Sequence, residues 1–275
     1  MRRSTTSGGT EGSRAPNRRR LGTVLGAELV CAAFLVAGPP SASTGPAVAA
    51  PAPVSSTSSA AAPAARTVTT PDGRTAELID LGERGDALLD RVASELPGAT
   101  DAVTAFWGPQ WPRRIEIVAA GSHEEFATLA GGGADTAATT TAQRIMFSPA
   151  AASMSEPDLR MVLRHELFHY AARADTAADA PVWLTEGVAD FVGRPPAATA
   201  PAAPGALPTD AELGTPGPQR SAAYDRAWAF ASYVANSYGP GKLRQLYVAA
   251  CGHGHPDAAT AVRDVLGTEL PGAQR

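Results

Sequence analysis

Hydrophobic and polar positions follow two different periods along the chain, and together they predict a small sheet followed by helices. Apolar residues recur at helical spacing in residues 78–106, which predicts one or two helices with a break near Pro97 and Gly98. Residues 113–120, RRIEIVAA, alternate and are rich in β-branched side chains, and residues 143–149, QRIMFSP, end at a proline. Both of these segments predict strands.

Signals for helix ends divide the rest of the chain. Ser122 precedes a short apolar pattern and Glu125 follows three residues later, so the pair predicts an N-cap with a capping box. Pro157 is typical of a first helical turn. Helical patterns then cover residues 158–174, 183–192, 224–238, 241–250 and 259–267. We therefore predict an α+β domain in which helices dominate.

Composition predicts one folded domain behind an N-terminal segment. Residues 1–49 are first rich in arginine, then apolar (LGTVLGAELVCAAFLVAG) and then rich in small residues, as secretory signal peptides are. Cleavage after Ala49 is one interpretation, and an uncleaved membrane anchor is the other, although Glu28 lies inside the apolar run. The remaining divisions are an Ala/Pro/Ser linker at 50–68, a domain at 69–275 and, within it, a Pro/Ala surface loop at 194–218.

Removal of residues 1–49 would leave an acidic domain. That segment contains six arginines and two glutamates, so the formal net charge changes from −4 for the full chain to −8. Such a domain has no electrostatic attraction to nucleic acid or to an anionic membrane. We therefore exclude nucleic acid as a partner and expect membrane contact only through an uncleaved anchor. Cys251 would be the sole remaining cysteine, which rules out an intrachain disulfide. We expect the domain to be secreted.

Two of the five histidines lie four residues apart in a predicted helix. His165 and His169 leave the same face, because four residues turn a helix by about 400° and advance it by about 6 Å, so both imidazoles can reach one ion. Glu166 completes the pattern H-E-x-x-H, in which two histidines bind zinc and the glutamate takes the proton of a metal-bound water. The alternative is two surface histidines on an amphipathic helix, but the apolar neighbours Leu167 and Phe168 favour a helix packed in a core.

The segment WLTEGVADF offers a third ligand, which a catalytic zinc site usually requires beside an open position for water. Sixteen residues separate Glu186 from His169, enough to end one helix, turn and return along an antiparallel one. Asp190 lies four residues further on, on the same face as Glu186. Its carboxylate can accept a hydrogen bond from the ring nitrogen of a ligand histidine that does not bind metal. The alternative for either acid is a solvated position on a helix.

HELFH…WLTEGVADF resembles the gluzincin group of zinc metallopeptidases, and Trp-Leu-x-Glu-Gly is similar to their peptidase MA-like and aminopeptidase-like branch. The resemblance covers residues 114–250. It implies a zincin-like fold, a Zn²⁺ cofactor held by His165, His169 and Glu186, and hydrolysis of peptide or protein substrates through a zinc-bound water. The gap before Glu186 is slightly short, and the glycine motif that binds a substrate amine is missing. The substrate preference of aminopeptidases is therefore not carried over.

The same resemblance suggests roles for two further side chains. Glu166 would be the catalytic base, and Tyr224, which opens a later helix, would donate a hydrogen bond to the oxyanion. Tyr170, next to the second histidine, could also donate. The pattern around both tyrosines is equally that of core residues on amphipathic helices, so packing is the alternative for each.

Other interpretations stay open from the sequence. One is an exported zinc-containing binding module with little or no turnover, against which Glu166 argues because it binds no metal in this motif. Another is a second metal site in the loop CGHGH, formed by Cys251, His253 and His255. Mixed nitrogen and carboxylate ligands also accept other divalent metals. The sequence carries no pattern that indicates an oligomeric state.

Overall fold

The computed structural model describes residues 64–82, 84–196 and 205–270, and it has the predicted α+β architecture, a small sheet followed by a mostly helical half that is consistent with a zincin-like fold. The elements are β1 (Ala64–Thr69), β2 (Thr75–Asp80), α1 (Asp86–Trp107), β3 (Arg114–Ala119), α2 (His123–Ala130), β4 (Ala138–Thr140), β5 (Ile145–Phe147), α3 (Glu156–Ala172), α4 (Val182–Gly193), α5 (Asp210–Gly214), α6 (Pro218–Tyr238), α7 (Pro240–Cys251) and α8 (Ala258–Leu266).

The five strands form one mixed sheet in the order β1-β2-β3-β5-β4. β1 and β2 are antiparallel, β2, β3 and β5 run parallel, and β4 pairs antiparallel with β5 at the sheet edge. Strands β3 and β5 are the two that the alternation predicts. Ile115 and Ile117 of β3 face the main core on one side, while Val118 packs with Phe126 of α2 on the other. The sheet therefore buries both faces at its centre.

The first predicted helix is corrected by the structure. Residues 78–80 belong to β2, so the helix begins at Asp86, and it passes Pro97 without the predicted break. A proline inside a helix forfeits one backbone hydrogen bond. The adjacent Leu96 and Ala99 are fully buried, and this packing of α1 in the core offsets the local penalty.

Segment boundaries that we predicted from composition also change. β1 begins at Ala64, so the end of the predicted 50–68 linker belongs to the sheet, where its β-branched residues pair with β2. Within the predicted 194–218 loop, a capping box at Thr209 starts the short helix α5. The predicted signal segment 1–49 lies outside the described residues.

The local helix-end signals are largely confirmed. Ser122 caps α2 by accepting a hydrogen bond from the N–H of Glu125 at 3.1 Å. The Glu125 carboxylate accepts from the N–H of Gly121, one residue before the cap, so the predicted capping box is incomplete. Ser155 caps α3, and Pro157 lies in its first turn as predicted.

Helices α3 and α4 form the centre of the helical half. Helix α3 packs against α1 on one side and α4 on the other, and α4 in turn packs against α6. Phe168 of α3 meets Trp107 and Tyr247 edge-on, with ring centroids 5.7 and 5.3 Å apart, which fixes the rotation of α3 about its axis. Within the described ranges, no helix is long and apolar enough to span a bilayer.

Candidate metal centre

Helices α3 and α4 bring two imidazoles and one carboxylate together. The Nε2 atoms of His165 and His169 lie 3.0 Å apart, and both side chains are buried. Glu186 of α4 approaches both rings, with Oε2 at 3.2 Å from Nε2 of His165 and Oε1 at 3.5 Å from Nε2 of His169. The three ligand atoms lie within 4.8 Å of one another.

Two glycines allow α4 to approach its neighbours this closely. A Cβ atom on Gly187 would lie 2.5 Å from the carbonyl oxygen of Ala227 in α6, and one on Gly193 would lie 2.8 Å from the carbonyl oxygen of Met161 in α3. Backbone oxygens cannot move aside unless a helix shifts, so any side chain at either position would push α4 outward. Gly187 directly follows Glu186, so its missing side chain helps to set the position of that carboxylate.

The spacing and the protonation of these groups fit a divalent cation. Ligands about 2.0–2.1 Å from a tetrahedral zinc lie about 3.3 Å from one another, close to the 3.0 Å between the two Nε2 atoms and to the 3.2 and 3.5 Å from these atoms to the two different oxygens of Glu186. Nδ1 of His165 lies 2.9 Å from Oδ1 of Asp190, so that ring donates from Nδ1, and once Nε2 gives up its proton its lone pair is free to bind a metal on the side of Glu186. Oε2 of Glu186 is buried and has no hydrogen-bond partner among the described residues. A cation is the group that three converging acceptors lack.

The pKa values show how strongly the site favours positive charge. Burial opposes a charge on His165, but the hydrogen bond to Asp190 and the neighbouring carboxylate of Glu186 outweigh burial and raise the pKa of the imidazole to about 10. Burial also opposes the charge on Glu186, yet the two histidines lower the pKa of that carboxyl to about 2. Glu186 is therefore ionised at neutral pH, the state in which a carboxylate binds metal.

Glu166 lies beside the cluster in a fully buried position. The hydroxyl of Thr140, on the edge strand β4, lies 2.7 Å from Oε2 of Glu166 and 2.9 Å from the backbone carbonyl oxygen of the same residue, so its one proton is shared between these two acceptors. The other oxygen, Oε1, is buried and has no hydrogen-bond partner among the described residues. One carboxylate oxygen is thus held by the sheet, and the second is left for another ligand. The sequence reasoning missed Thr140, because its partner is 26 positions away in the chain.

Asp190 connects the cluster to a second layer of charges. Its Oδ2 accepts a hydrogen bond from Nη2 of Arg194 at 2.6 Å, and Nη1 of Arg194 in turn donates to the exposed Asp225 at 2.7 Å. The guanidinium also lies over the ring of Trp228, 5.2 Å from its centroid. Asp190 is therefore held in place on the side away from His165, as the orienting partner of a metal ligand should be.

We expect Asp190→Asn to weaken zinc binding about 10- to 100-fold, because the amide keeps the shape of the side chain but loses the charge that fixes the His165 tautomer. Affinity would be measured by competition with a chromophoric chelator. Asp225→Asn is the matched control, because it removes the other carboxylate on Arg194 without touching a histidine. Equal affinities for both variants and the wild type would contradict the role of Asp190.

The tyrosines differ in what they can offer the site. Tyr224 of α6 lines the same cavity as His169 and Glu186, with its ring centroid 6.5 Å from that of His165. Tyr170 donates its hydroxyl proton to the carbonyl oxygen of Arg114 at 2.8 Å, so it is engaged in packing against the sheet. Of the two candidates, Tyr224 is the one that faces the cluster.

Tyr247 of α7 also lines the cavity, and the sequence reasoning overlooked it. Its hydroxyl lies 2.9 Å from that of Thr176, and burial raises the pKa of the phenol well above its usual value. The Thr176 hydroxyl itself donates to the carbonyl oxygen of Ala172. Because a threonine hydroxyl has one proton, Tyr247 must be the donor in the pair, and its proton is not available to a substrate.

The loop CGHGH holds its side chains apart. Cys251 is buried at the end of α7, and burial raises the pKa of its thiol well above the usual range. His253 points Nε2 to the carbonyl oxygen of Ala174, and His255 points Nδ1 to that of Pro256. Within the described residues, the cluster with metal-ligand spacing is His165, His169 and Glu186.

A cavity of about 580 Å³ opens onto the cluster. His169, Glu186 and Tyr224 line one part of it, Thr140 marks the sheet edge, and helices α5 and α6 contribute further residues. This volume lies within the usual range for small-ligand sites.

Comparisons with known proteins give little beyond this geometry. No protein-family model matches the chain, and no curated protein matches it. Among solved structures, the crystal structure of a point mutant of M1 zinc metallopeptidase from Deinococcus radiodurans is similar at a TM-score of 0.39 and 18% identity. The match covers 75% of this chain and 49% of that chain, so this chain spans about half its length.

Proposed function

We propose that this protein is a zinc-dependent peptidase of the gluzincin type. The observation that carries the proposal is the convergence of His165, His169 and Glu186, two of which (His169 and Glu186) line an open cavity, with the buried carboxylate of Glu166 next to His165 in the chain. Two histidines and a glutamate leave a fourth zinc position open, as catalytic sites do and closed structural sites do not. Burying a carboxylate costs free energy, and Glu166 is not one of the proposed metal ligands. A site that served only to bind metal would therefore not need Glu166 in this buried position.

The chain's own residues account for the proton transfers. A zinc ion on these ligands supplies Lewis acidity, which activates water and polarises a carbonyl group. Glu166 accepts a proton from the attacking water at its free carboxylate oxygen and passes it to the leaving amine. Asp190 keeps His165 in the tautomer that binds metal through Nε2. Tyr224 is our candidate for the donor to the oxyanion, since it faces the same cavity.

The sheet edge supports a peptide as the substrate class. The backbone N–H groups of Thr141 and Ser148 donate ladder hydrogen bonds between β4 and β5. Along β4, residues that bond to β5 alternate with positions whose N–H and C=O groups face away from it. Ala138 and Thr140 are those positions, and Thr140 also lines the cavity. An extended peptide could pair with this edge. Residues 143–149, which the sequence predicts as a strand, contain β5, the neighbour of this edge strand in the sheet.

We expect Thr140→Val to lower kcat about 10-fold with little change in KM. The substitution removes the hydroxyl that holds Oε2 of Glu166 at 2.7 Å, so the base samples unproductive positions. Steady-state kinetics on one peptide would measure kcat and KM, and the metal content of the variant would show whether the metal site is intact.

Thr139→Val is the matched control for this prediction. Thr139 is the preceding residue of β4, it is also buried, and its hydroxyl has no hydrogen-bond partner among the described residues. The control should therefore keep wild-type kcat and melt at the same temperature or higher. Equal kcat for both variants would remove Thr140 from the mechanism.

We further propose that the domain is exported, through the signal-like segment at 1–49. A mature chain in the medium with its N-terminus near residue 50 supports cleavage, and a chain retained in membranes supports the anchor.

Cleavage of an unfolded protein substrate tests the proposed activity. The wild-type protein should hydrolyse it, a chelator should stop the reaction, and added Zn²⁺ should restore it. One equivalent of bound zinc without cleavage of any substrate would favour the binding module with no turnover.

A further inference from the structure

An arginine lies one helical turn beyond the second histidine and lines the same cavity. Arg173 follows His169 by four residues, so the two side chains leave the same face of α3 about 6 Å apart along its axis. The guanidinium lies flat over the ring of Tyr170, with Cζ 3.5 Å from the ring centroid. This stacking restricts the motion of the cation.

The charge of Arg173 has no counterpart within the described residues. Its Nη1 atom is buried and lacks a hydrogen-bond partner, and no described carboxylate forms an ion pair with the side chain. A buried N–H of a guanidinium without an acceptor is costly, and a ligand in the cavity could supply the missing acceptor.

The other charged groups of the cavity leave this cation uncompensated. Arg220, which is 6% exposed, pairs with Asp135 at 2.9 Å, and these two charges cancel. Nε of Arg220 is a second buried donor in the lining without a partner. Glu186 is committed to the metal cluster, and Asp210 is exposed to solvent on α5. Among the described residues of the lining, Arg173 is therefore the arginine without a carboxylate partner.

We infer that Arg173 is a specificity residue that binds a carboxylate of the substrate, which rests on the proposed peptidase function. Arginine binds carboxylates through two parallel hydrogen bonds, and a stacked guanidinium is already oriented for them. An extended peptide advances about 3.3–3.4 Å per residue, so a carboxylate at Arg173 lies about two residues from the bond that is cleaved. The carboxylate is either the C-terminus of the peptide or an acidic side chain.

Two pairs of quenched-fluorescence peptides test the inference and distinguish the two sources. One pair differs in a free or amidated C-terminus two residues from the scissile bond, and the other in Glu or Gln at that position. The wild type should prefer one acidic peptide over its neutral twin by about 10- to 100-fold in kcat/KM. Arg173→Gln should abolish the preference, so that the acidic peptide and its neutral twin react at equal rates, and Arg173→Lys should keep part of it, because lysine lacks the planar fork.

Arg160→Gln is the control for loss of a positive charge on the same helix, since Arg160 pairs with Glu95 away from the cavity. It should keep the preference of the wild type. Equal rates on acidic and neutral peptides in the wild type, or an unchanged preference in Arg173→Gln, would overturn the inference.

A binding measurement separates this inference from the proposed activity. If no peptide is cleaved in a chelator-sensitive way, the peptidase proposal fails. Calorimetry with two pairs of N-acetylated tripeptides, free acid against amide and Glu against Gln in the amidated peptide, then decides the role of Arg173 alone. Tighter binding of the acidic member of one pair to the wild type, and equal binding of that pair to Arg173→Gln, support the carboxylate site, and equal binding within both pairs to the wild type refutes it.

Discussion

Glu166→Gln is expected to lower kcat by about 10²- to 10⁴-fold while the protein keeps its zinc. Glutamine has the same shape, and its amide oxygen can still accept the hydrogen bond from Thr140, so the side chain stays in place. An amide cannot accept a proton from water at neutral pH. The loss should therefore fall on the chemical step and leave the binding of metal and peptide unchanged.

Three measurements are needed for this prediction: steady-state kinetics, zinc content by mass spectrometry of the metal, and the melting temperature. Glu156→Gln is the matched control, because Glu156 lies on the same helix and pairs with Arg91 at its exposed end. It should retain full activity. Turnover by Glu166→Gln at more than a tenth of the wild-type rate, with bound zinc, would exclude Glu166 as the base.

His169→Ala and Glu186→Ala are each expected to weaken zinc binding by more than about 100-fold, beyond the effect of losing an orienting residue such as Asp190. Each substitution leaves two protein ligands where three converge within 4.8 Å. The wild type should purify with about one zinc per chain, and each variant with much less. The rate of peptide hydrolysis should fall in proportion to the zinc content, since the proposed reaction depends on the bound ion.

The control for ligand loss is His253→Ala, because His253 is exposed and bonds to a backbone carbonyl oxygen outside the cluster. It should bind one zinc with wild-type affinity. A full equivalent of zinc in both His169→Ala and Glu186→Ala would place the metal elsewhere, and the proposed function would lose its basis.

The parts of the site that could be predicted are those that local spacing determines. His165 and His169 come together because four residues make about one helical turn, and Glu186 needs only enough chain to return on the next helix. Helices α3 and α4 carry apolar residues in every turn, and Pro157 marks the start of α3, so their existence was predictable.

The parts that could not be predicted depend on contacts between distant segments. Thr140 belongs to a strand of three residues, too short to show alternation, and it meets Glu166 only after β4 joins the sheet edge. In the sequence, Arg173 is an ordinary cation at the end of a helix. Only the structure shows that it lines the cavity and that no described carboxylate pairs with it. The predicted break at Pro97 was wrong because packing in the core keeps α1 continuous, and local helix propensity does not include such packing.

The tight contacts of α4 have a consequence for finding relatives of this chain. Gly187 and Gly193 touch backbone oxygens of two different helices, so selection for the geometry of the site should preserve both although neither can bind an ion. A search pattern should therefore read H-E-x-x-H, a spacer, then E-G-x-x-D-x-x-G. Chains with a larger residue at either glycine should prove to have lost enzymatic turnover, even where every ligand survives.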